Sequence, residues 1–405
     1  MDANGFRDRA AVVGIGATEF SKQSGRSELQ LAAEATLDAL ADAGLSPADV
    51  DGMVTYTGDA SEEIAIARSI GIPELTFFSR IPHGGGAACA TVQQAAMAVA
   101  TGVAEVVVCY RALNERSGGR FGRATRSARG LEYSMSHPYG LVTPAAWVTM
   151  SATRYMHDYG ATNQDFGRVS VAARRHAATN PKAWFYERPI SLADHQSSRW
   201  IVEPALRLLD CCQESDGAVA VVVTTAARAA GLRRPPVAVV AAAQGSAWEQ
   251  QSMESYYRDE IDRLPEMELV GRQLWTQSRL SADDIQTAVI YDHFTPFVLL
   301  QLEALGFCGR GEGKDFVKDG TIELGGRLPL NPHGGQLGEA YIHGMNGIAE
   351  AVRQVRGTSV NQVPSVEHVL VTAGTGVPTS GLILGRGNGV GHGPAARMRE
   401  ERSDG

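Results

Sequence analysis

Two stretches of this chain, more than two hundred residues apart, carry one pattern. Residues 43–56 read AGLSPADVDGMVTY and residues 278–291 read SRLSADDIQTAVIY. Each passes from a helix end through a Leu-Ser turn and an acidic pair into a β-branched strand. The strand-like segments 105–109 (EVVVC) and 368–372 (HVLVT) also correspond, and each follows a helix entered through glycine, at 86–100 and 344–356. A repeat this long implies two related α/β domains rather than a solenoid, with halves starting near Arg9 and Pro236. Strands alternating with helices predict mostly parallel sheets with helices packed on both faces.

In the first half, residues 9–15 (RAAVVGI) read as a buried strand. Gly14 and Gly16 follow, without the third glycine that a dinucleotide-binding turn needs. Residues 27–43 place Leu29, Ala32, Ala33, Thr36, Leu37, Leu40 and Ala41 at helical spacing, with Ser27 as N-cap and Gly44 just past the end. Residues 114–209 interrupt the duplication and are rich in Arg, His, Tyr and Trp. SDGAVAVVVTT at 215–225 then turns into a buried strand. The expected organisation is a first half of 1–113 with 210–235, an insertion of 114–209, a second half of 236–388, and a flexible Gly- and charge-rich tail at 389–405.

A chain of 405 residues with 45 glycines and 20% charged residues fits a compact α/β protein. The net charge of −8 argues against nucleic acid as a main partner. Cys89, Cys109, Cys211, Cys212 and Cys308 show neither CxxC nor metal-ligand spacing, so no metal site is expected and a reducing cytoplasm is. No signal-peptide core and no membrane-spanning apolar run is evident.

The stretch 331–347, NPHGGQLGEAYIHGMNG, reads as a glycine-rich turn, a loop and a helix start. Gly334 and Gly335 allow a sharp turn or close backbone approach, and Tyr341 and His343 lie between the two glycine pairs. By itself this is either a loop aimed into a cleft or a structural turn with an ordinary half-buried tyrosine.

These residues resemble the C-terminal signature of the thiolase superfamily. Asn331, Pro332, Gly334, Gly335, Gly344 and Gly347 match it, while Tyr341 stands in place of the catalytic histidine and Ile342 in place of the proline that follows. The resemblance covers nearly the whole chain. It implies an α/β thiolase fold, with two βαβαβ halves stacked as five αβαβα layers and an insertion covering the site. It also places a nucleophilic cysteine where this chain has Gly85, one helical turn before Cys89, and an acid/base cysteine near Ala373. Tyr291-Asp292-His293-Phe294 resembles the His-Asp-Cys-Phe motif of the sterol-carrier branch. Two phenols, Tyr291 and Tyr341, thus occupy positions that face the reacting carbon, and both thiols are gone. That argues against acyl transfer through an enzyme thioester.

The overall pattern most resembles thiolase-like lipid-transfer proteins of the steroid side-chain-degrading retro-aldolase type. The resemblance implies cleavage of a β-hydroxyacyl-CoA: a 17-hydroxy steroid bearing a 20-carboxyl-CoA gives a 17-keto steroid and propionyl-CoA. Tyr341 would take the hydroxyl proton and Tyr291 would serve the enolate, or the two roles would be exchanged, with His293, His333, His343 and Asp292 in support. Backbone N–H groups of Gly85, Gly374 and Gly376 would face the thioester, and Arg174, Arg175 and Lys182 are candidates for the CoA phosphates. No cofactor is implied beyond the CoA of the substrate. The implied partners are a small OB-fold, zinc-ribbon protein, in places fused to a MaoC-like hydratase, and a second copy of the chain, for which the strand at 106–109 is suited. The competing readings are a thiolase using Cys89 and a non-catalytic sterol- or acyl-CoA-binding protein.

Overall fold

The computed structural model describes residues 9–387 apart from 59, 83, 124–135, 252, 254 and 256. The tail expected at 389–405 lies outside the described residues. Strand β1 (Ala10–Ala17) opens the first half, and helix α1 (Glu28–Ala43) follows. Ser27 accepts the amide of Gln30, and Gly44 ends the helix in the left-handed conformation, as its sequence predicts. Gly14 and Gly16 serve packing rather than phosphate binding: a Cβ on Gly14 would lie 2.1 Å from the carbonyl oxygen of Ala39 in α1. The half continues through β2 (Gly52–Tyr56), α2 (Glu63–Ile70), β3 (Phe77–Ile81), α3 (Ala88–Thr101) and β4 (Val106–Asn114). Helices α4 (Pro144–Tyr159) and α5 (Asn163–Ala178) and a small hairpin of β5 (Trp200–Val202) and β6 (Leu206–Arg207) form the insertion, and β7 (Asp216–Thr225) returns to the sheet.

The second half runs β8 (Val237–Gly245), α6 (Pro265–Ser278), β9 (Thr287–Val289), α7 (Thr295–Ala304), α8 (Met345–Arg356), β10 (His368–Thr372) and β11 (Thr379–Arg386). The repeated Leu-Ser-acidic turns are two copies of one device. Asp49 caps the Ser46 amide at 2.9 Å and Asp284 caps the Ser281 amide at 2.8 Å, each just before its strand. Strand order repeats as well: β3-β2-β4-β7-β1 in one half and β9-β10-β11-β8 in the other. The second-half counterpart of β3 is reduced to a single bridge between Ala288 and Leu330.

The sheet departs from the expected geometry in two ways. β1 and β8 pair at Ala11–Ala238 and Val12–Val237, so the two halves join into one nine-stranded ladder. The ladder is also mixed, not mostly parallel: β2 pairs in parallel with β3 and β4, and β9 with β10, but the remaining pairs are antiparallel. The short link from β10 to β11 permits only an antiparallel pair.

Away from that seam the five layers are clear. α3 and α8 pack between the two half-sheets, where Val92, Ala96, Ile348 and Val352 share a core with Val107, Val221, Val369 and Val371. α1 covers the outer face of the first half, and α6 and α7 that of the second. The segment 106–109 is not an edge. It lies in β4, paired to β2 on one side and β7 on the other; its continuous apolar run reflects burial on both faces. The free edge of the first half is β3, whose Phe78 is 60% exposed. Among the described residues no helix is long and apolar enough to cross a membrane.

Candidate active site

β9 and the short segment after it deliver Tyr291, the loop before α8 delivers Tyr341, and their phenol oxygens meet at 3.1 Å. Tyr291 is anchored through its main chain. Its amide donates to Thr372 Oγ1 at 2.9 Å, and its carbonyl accepts from Gln301 Nε2 at 2.9 Å. The Tyr341 amide donates to Ser215 Oγ at 3.1 Å. Both rings are buried, Tyr291 3% and Tyr341 9% exposed. Burial pushes both phenols well above the ordinary tyrosine range, and both hold their protons at neutral pH.

Gly85 explains how this pair displaces a thiol. A Cβ built on Gly85 would lie 2.1 Å from the Tyr291 hydroxyl and 2.7 Å from the ring carbon bearing it. The phenol therefore occupies the space a cysteine side chain at 85 would enter. Gly374 and Gly344 flank the same ring: a Cβ on them would lie 2.7 and 3.1 Å, respectively, from its edge carbons. Phenol and thiol exclude one another here, so tyrosine at 291 in this position requires glycine at 85.

His343 is the expected supporting residue that does reach the pair. Its ring stands 5.0 Å from that of Tyr341, nearly perpendicular, and Phe121 stacks on its face at 4.8 Å. The guanidinium of Arg111, fully buried in β4, donates to its Nδ1. Arginine cannot accept a hydrogen bond, so the neutral ring must carry its proton on Nε2 and present a donor there. Arg111 also donates to the Tyr56 carbonyl at 2.7 Å, and Tyr56 Oη donates to the His343 carbonyl at 3.0 Å. Sequence reasoning missed Arg111; its signal is one cation inside an otherwise apolar strand, VVVCYRAL.

The other expected residues divide. His293 packs edge-on to Tyr291 at 5.0 Å and against Phe294 and Phe297, and burial holds it neutral, down to about 3. Asp292 is committed to the backbone of the 331–347 stretch. It accepts the Gln336 amide at 2.8 Å and so caps the turn that starts the loop to Tyr341. Gly335 is glycine for that reason: its φ is +64°, and a Cβ would meet Asp292 Oδ2 at 2.0 Å. Burial raises Asp292 to about 6. His333 lines two cavities: one of about 450 Å³ with Lys182, Arg353 and Arg356, which neither phenol borders, and a small one that it shares with Tyr291, Asp292 and Gln336. Gly374 and Gly376 are not free oxyanion donors. The Gly374 amide donates to the Gly85 carbonyl at 2.9 Å, and that of Gly376 approaches Thr379 Oγ1 at 3.5 Å.

The three insertion cations expected at the CoA phosphates have different surroundings. Arg174 lies over the Phe185 ring at 3.5 Å and donates to the Arg188 carbonyl at 2.7 Å, buried in the insertion itself. Arg175 pairs with Glu323 on the surface. Lys182 faces the His333 cavity. Sequence can show that cations are clustered, but not that Arg174 is spent within the insertion while Lys182 is left at a cavity.

Five free cysteines are present, and none sits between the phenols. Cys89 is fully buried in α3, its thiol pointing to the Val371 carbonyl at 3.7 Å, and desolvation pushes it far above the thiol range. A thiol that cannot ionise is no nucleophile. Replacing Cys89 with Ala is expected to leave turnover within about twofold of the parent, measured as steady-state cleavage. A loss like that of an active-site variant would revive the thiolase reading.

This is the site of a thiolase-fold carbon–carbon lyase, with two phenols in contact and no cysteine between them. The chain is 72% identical over 383 residues, 93% of its length and 99% of the relative's, to the 17-hydroxy-3-oxo-4-pregnene-20-carboxyl-CoA lyase of Mycobacterium tuberculosis. It is 68% identical over 382 residues, covering 93% and 97% of the two chains, to the steroid side-chain-cleaving aldolase of Thermomonospora curvata. The solved structure of an Ltp2-ChsH2(DUF35) aldolase superposes with a TM-score of 0.91 at 67% identity, over 95% of this chain and all of that one. Residues 247–386 match the family described as thiolase C-terminal domain-like. The chain belongs to the thiolase-like family of steroid side-chain-cleaving lyases.

Proposed function

We propose that this enzyme cleaves the C17–C20 bond of a 17-hydroxy steroid whose C20 carries a carboxyl-CoA thioester. The observation that carries the reading is the pair of phenol oxygens 3.1 Å apart in a thiolase site without a reactive thiol. The C17 hydroxyl gives up its proton, the C17–C20 bond breaks, and its electron pair passes into the thioester as an enolate. C17 becomes a ketone, and protonation of C20 releases propionyl-CoA. One proton leaves oxygen and one arrives at carbon, so a two-phenol relay closes the cycle with both tyrosines restored. His343 Nε2–H is the side-chain donor suited to the enolate oxygen.

The Tyr291 hydroxyl donates to that of Tyr341, so Tyr291 takes the C17 hydroxyl proton as its own proton passes to Tyr341 and that of Tyr341 goes to C20, one of the two orders open from the sequence. The reaction uses no cofactor beyond the substrate's CoA. A small DUF35-type protein, an OB-fold with a zinc ribbon and linked to a hydratase, is the proposed partner, supported by the similarity to the solved Ltp2-ChsH2(DUF35) aldolase. A homodimer would pair through the free β3 edge.

The test is incubation of the enzyme, alone and with that partner, with the 17-hydroxy-20-carboxyl-CoA steroid in deuterated water. Equimolar 17-ketone and propionyl-CoA carrying one deuterium at its α-carbon is the expected result. Acyl transfer to free CoA, or no cleavage in either case, would overturn it.

A further inference from the structure

Residues 210–216 link the insertion to β7 and run past both phenol-bearing segments, yet the mechanism uses none of them. The segment is anchored at each end by an aspartate that is 0% exposed. Asp210 lies 2.8 Å from His195 Nε2 and accepts from Asn163 Nδ2 at 2.9 Å and from Thr295 Oγ1, at the start of α7, at 2.7 Å. Asp216 accepts the amides of Arg116 and Ser117 at 2.9 and 3.0 Å. Buried carboxyl groups satisfied in this way hold one geometry, because each bond lost would strand a desolvated oxygen.

Between these anchors the chain binds each phenol segment in turn. The Cys212 amide donates to the His293 carbonyl at 2.8 Å, two residues past Tyr291. The Gln213 amide donates to the Gln336 carbonyl at 3.2 Å, at the head of the loop to Tyr341. Ser215, 1% exposed, accepts the Tyr341 amide on its Oγ at 3.1 Å. The first two links run main chain to main chain. The third is a side chain holding the backbone of Tyr341 itself, so one substitution can remove it and leave the rest of the segment in place.

We propose that Ser215 is a positioning residue for Tyr341, and that the 210–216 segment is the strap that fixes the separation of the two phenols. This rests on the two-phenol reading above. Without the Ser215 oxygen the Tyr341 amide loses its acceptor in a buried site, and the loop must shift to satisfy it. A misplacement of about 1 Å can cost on the order of a hundredfold in rate. A loop still held through Gln213 should lose less.

Ser215→Ala is expected to lower kcat by about tenfold or more with KM within about twofold, since the reacting groups are misaligned rather than the substrate lost. Exchange of the propionyl-CoA α-proton into deuterated water, the step given to Tyr341, should fall by the same factor. In a Tyr341→Phe background the same substitution should add no further loss, because the phenol it positions is gone. A merely structural role would lower the melting temperature and leave turnover per folded enzyme unchanged. Ser215→Cys keeps nearly the same volume with a weaker acceptor, and its kcat should fall between those of the parent and Ser215→Ala. Parent-like kcat in Ser215→Ala, or in Ser215→Cys if the Ala variant fails to fold, overturns the proposal. So does slowed cleavage with parent-like exchange, or a further loss of the same size in the Tyr341→Phe background. Tyr341→Phe alone separates the two claims. If it is inactive while Ser215→Ala is parent-like, only the positioning role falls. If it is active, the two-phenol mechanism falls with it.

Discussion

Replacing either Tyr291 or Tyr341 by phenylalanine is expected to lower kcat by about two orders of magnitude or more while leaving the fold intact. General acid–base groups contribute on this scale, and the ring, which supplies the packing, is retained. The double variant should be little worse than either single one. A relay with one member missing is already broken, and residues acting as a unit are strongly non-additive. The two singles should nevertheless differ in a partial reaction. With Tyr341 gone, exchange of the propionyl-CoA α-proton into deuterated water should stop; with Tyr291 gone it should persist. Both variants cleaving at the parent rate would remove the mechanism, and exchange lost only in Tyr291→Phe would swap the two roles.

Gly85→Ala is expected to be nearly as damaging, although alanine carries no reactive group. The new methyl would have to sit 2.1 Å from the Tyr291 oxygen. Neither side can yield easily. The Gly85 carbonyl is held by the Gly374 amide at 2.9 Å, and the Tyr291 ring is enclosed by Gly374, Gly344 and His293. Overpacking of this kind costs about 1–3 kcal/mol in stability, and the displaced phenol should lower kcat by about a hundredfold. Adding Tyr291→Phe to Gly85→Ala deletes the clashing oxygen, so the double variant should be no slower than Tyr291→Phe alone and more stable than Gly85→Ala. Thermal melts and single-turnover rates on the three proteins decide this. A Gly85→Ala enzyme with parent activity would mean that the phenol does not occupy that position in the working enzyme. For the same reason Gly85→Cys should not restore thiolase chemistry: thiol and phenol compete for one volume.

Most of the frame was legible from residue order. Helix boundaries at Ser27 and Gly44, the twin Ser46/Asp49 and Ser281/Asp284 turns, and the halves starting near residues 9 and 236 are local or periodic signals, and such signals survive in one dimension. The two phenols were also legible, because the glycine-rich loop and the Tyr-Asp-His-Phe segment mark their positions independently of packing. The functions of neighbours were not. Asp292 adjoins Tyr291 in sequence, yet its carboxylate is taken up by the Gln336 amide, a partner 44 residues away that the sequence does not mark. Arg174 reads as a candidate for the CoA phosphates until the insertion folds its guanidinium over Phe185.

Sequence by itself determined a duplicated α/β chain in which two phenols stand where a thiolase keeps polar groups and no cysteine stands where thiolases keep theirs. Only the tertiary structure decided that these phenols touch, that Tyr291 fills the space vacated at Gly85, and that Arg111 sets the tautomer of His343. Those are contacts between segments 50 to more than 200 residues apart, as in the 50-residue separation of the two tyrosines and the 232 between Arg111 and His343. Their geometry is set by how β4, β9 and the loop before α8 pack around α3, and no local preference in the chain encodes it.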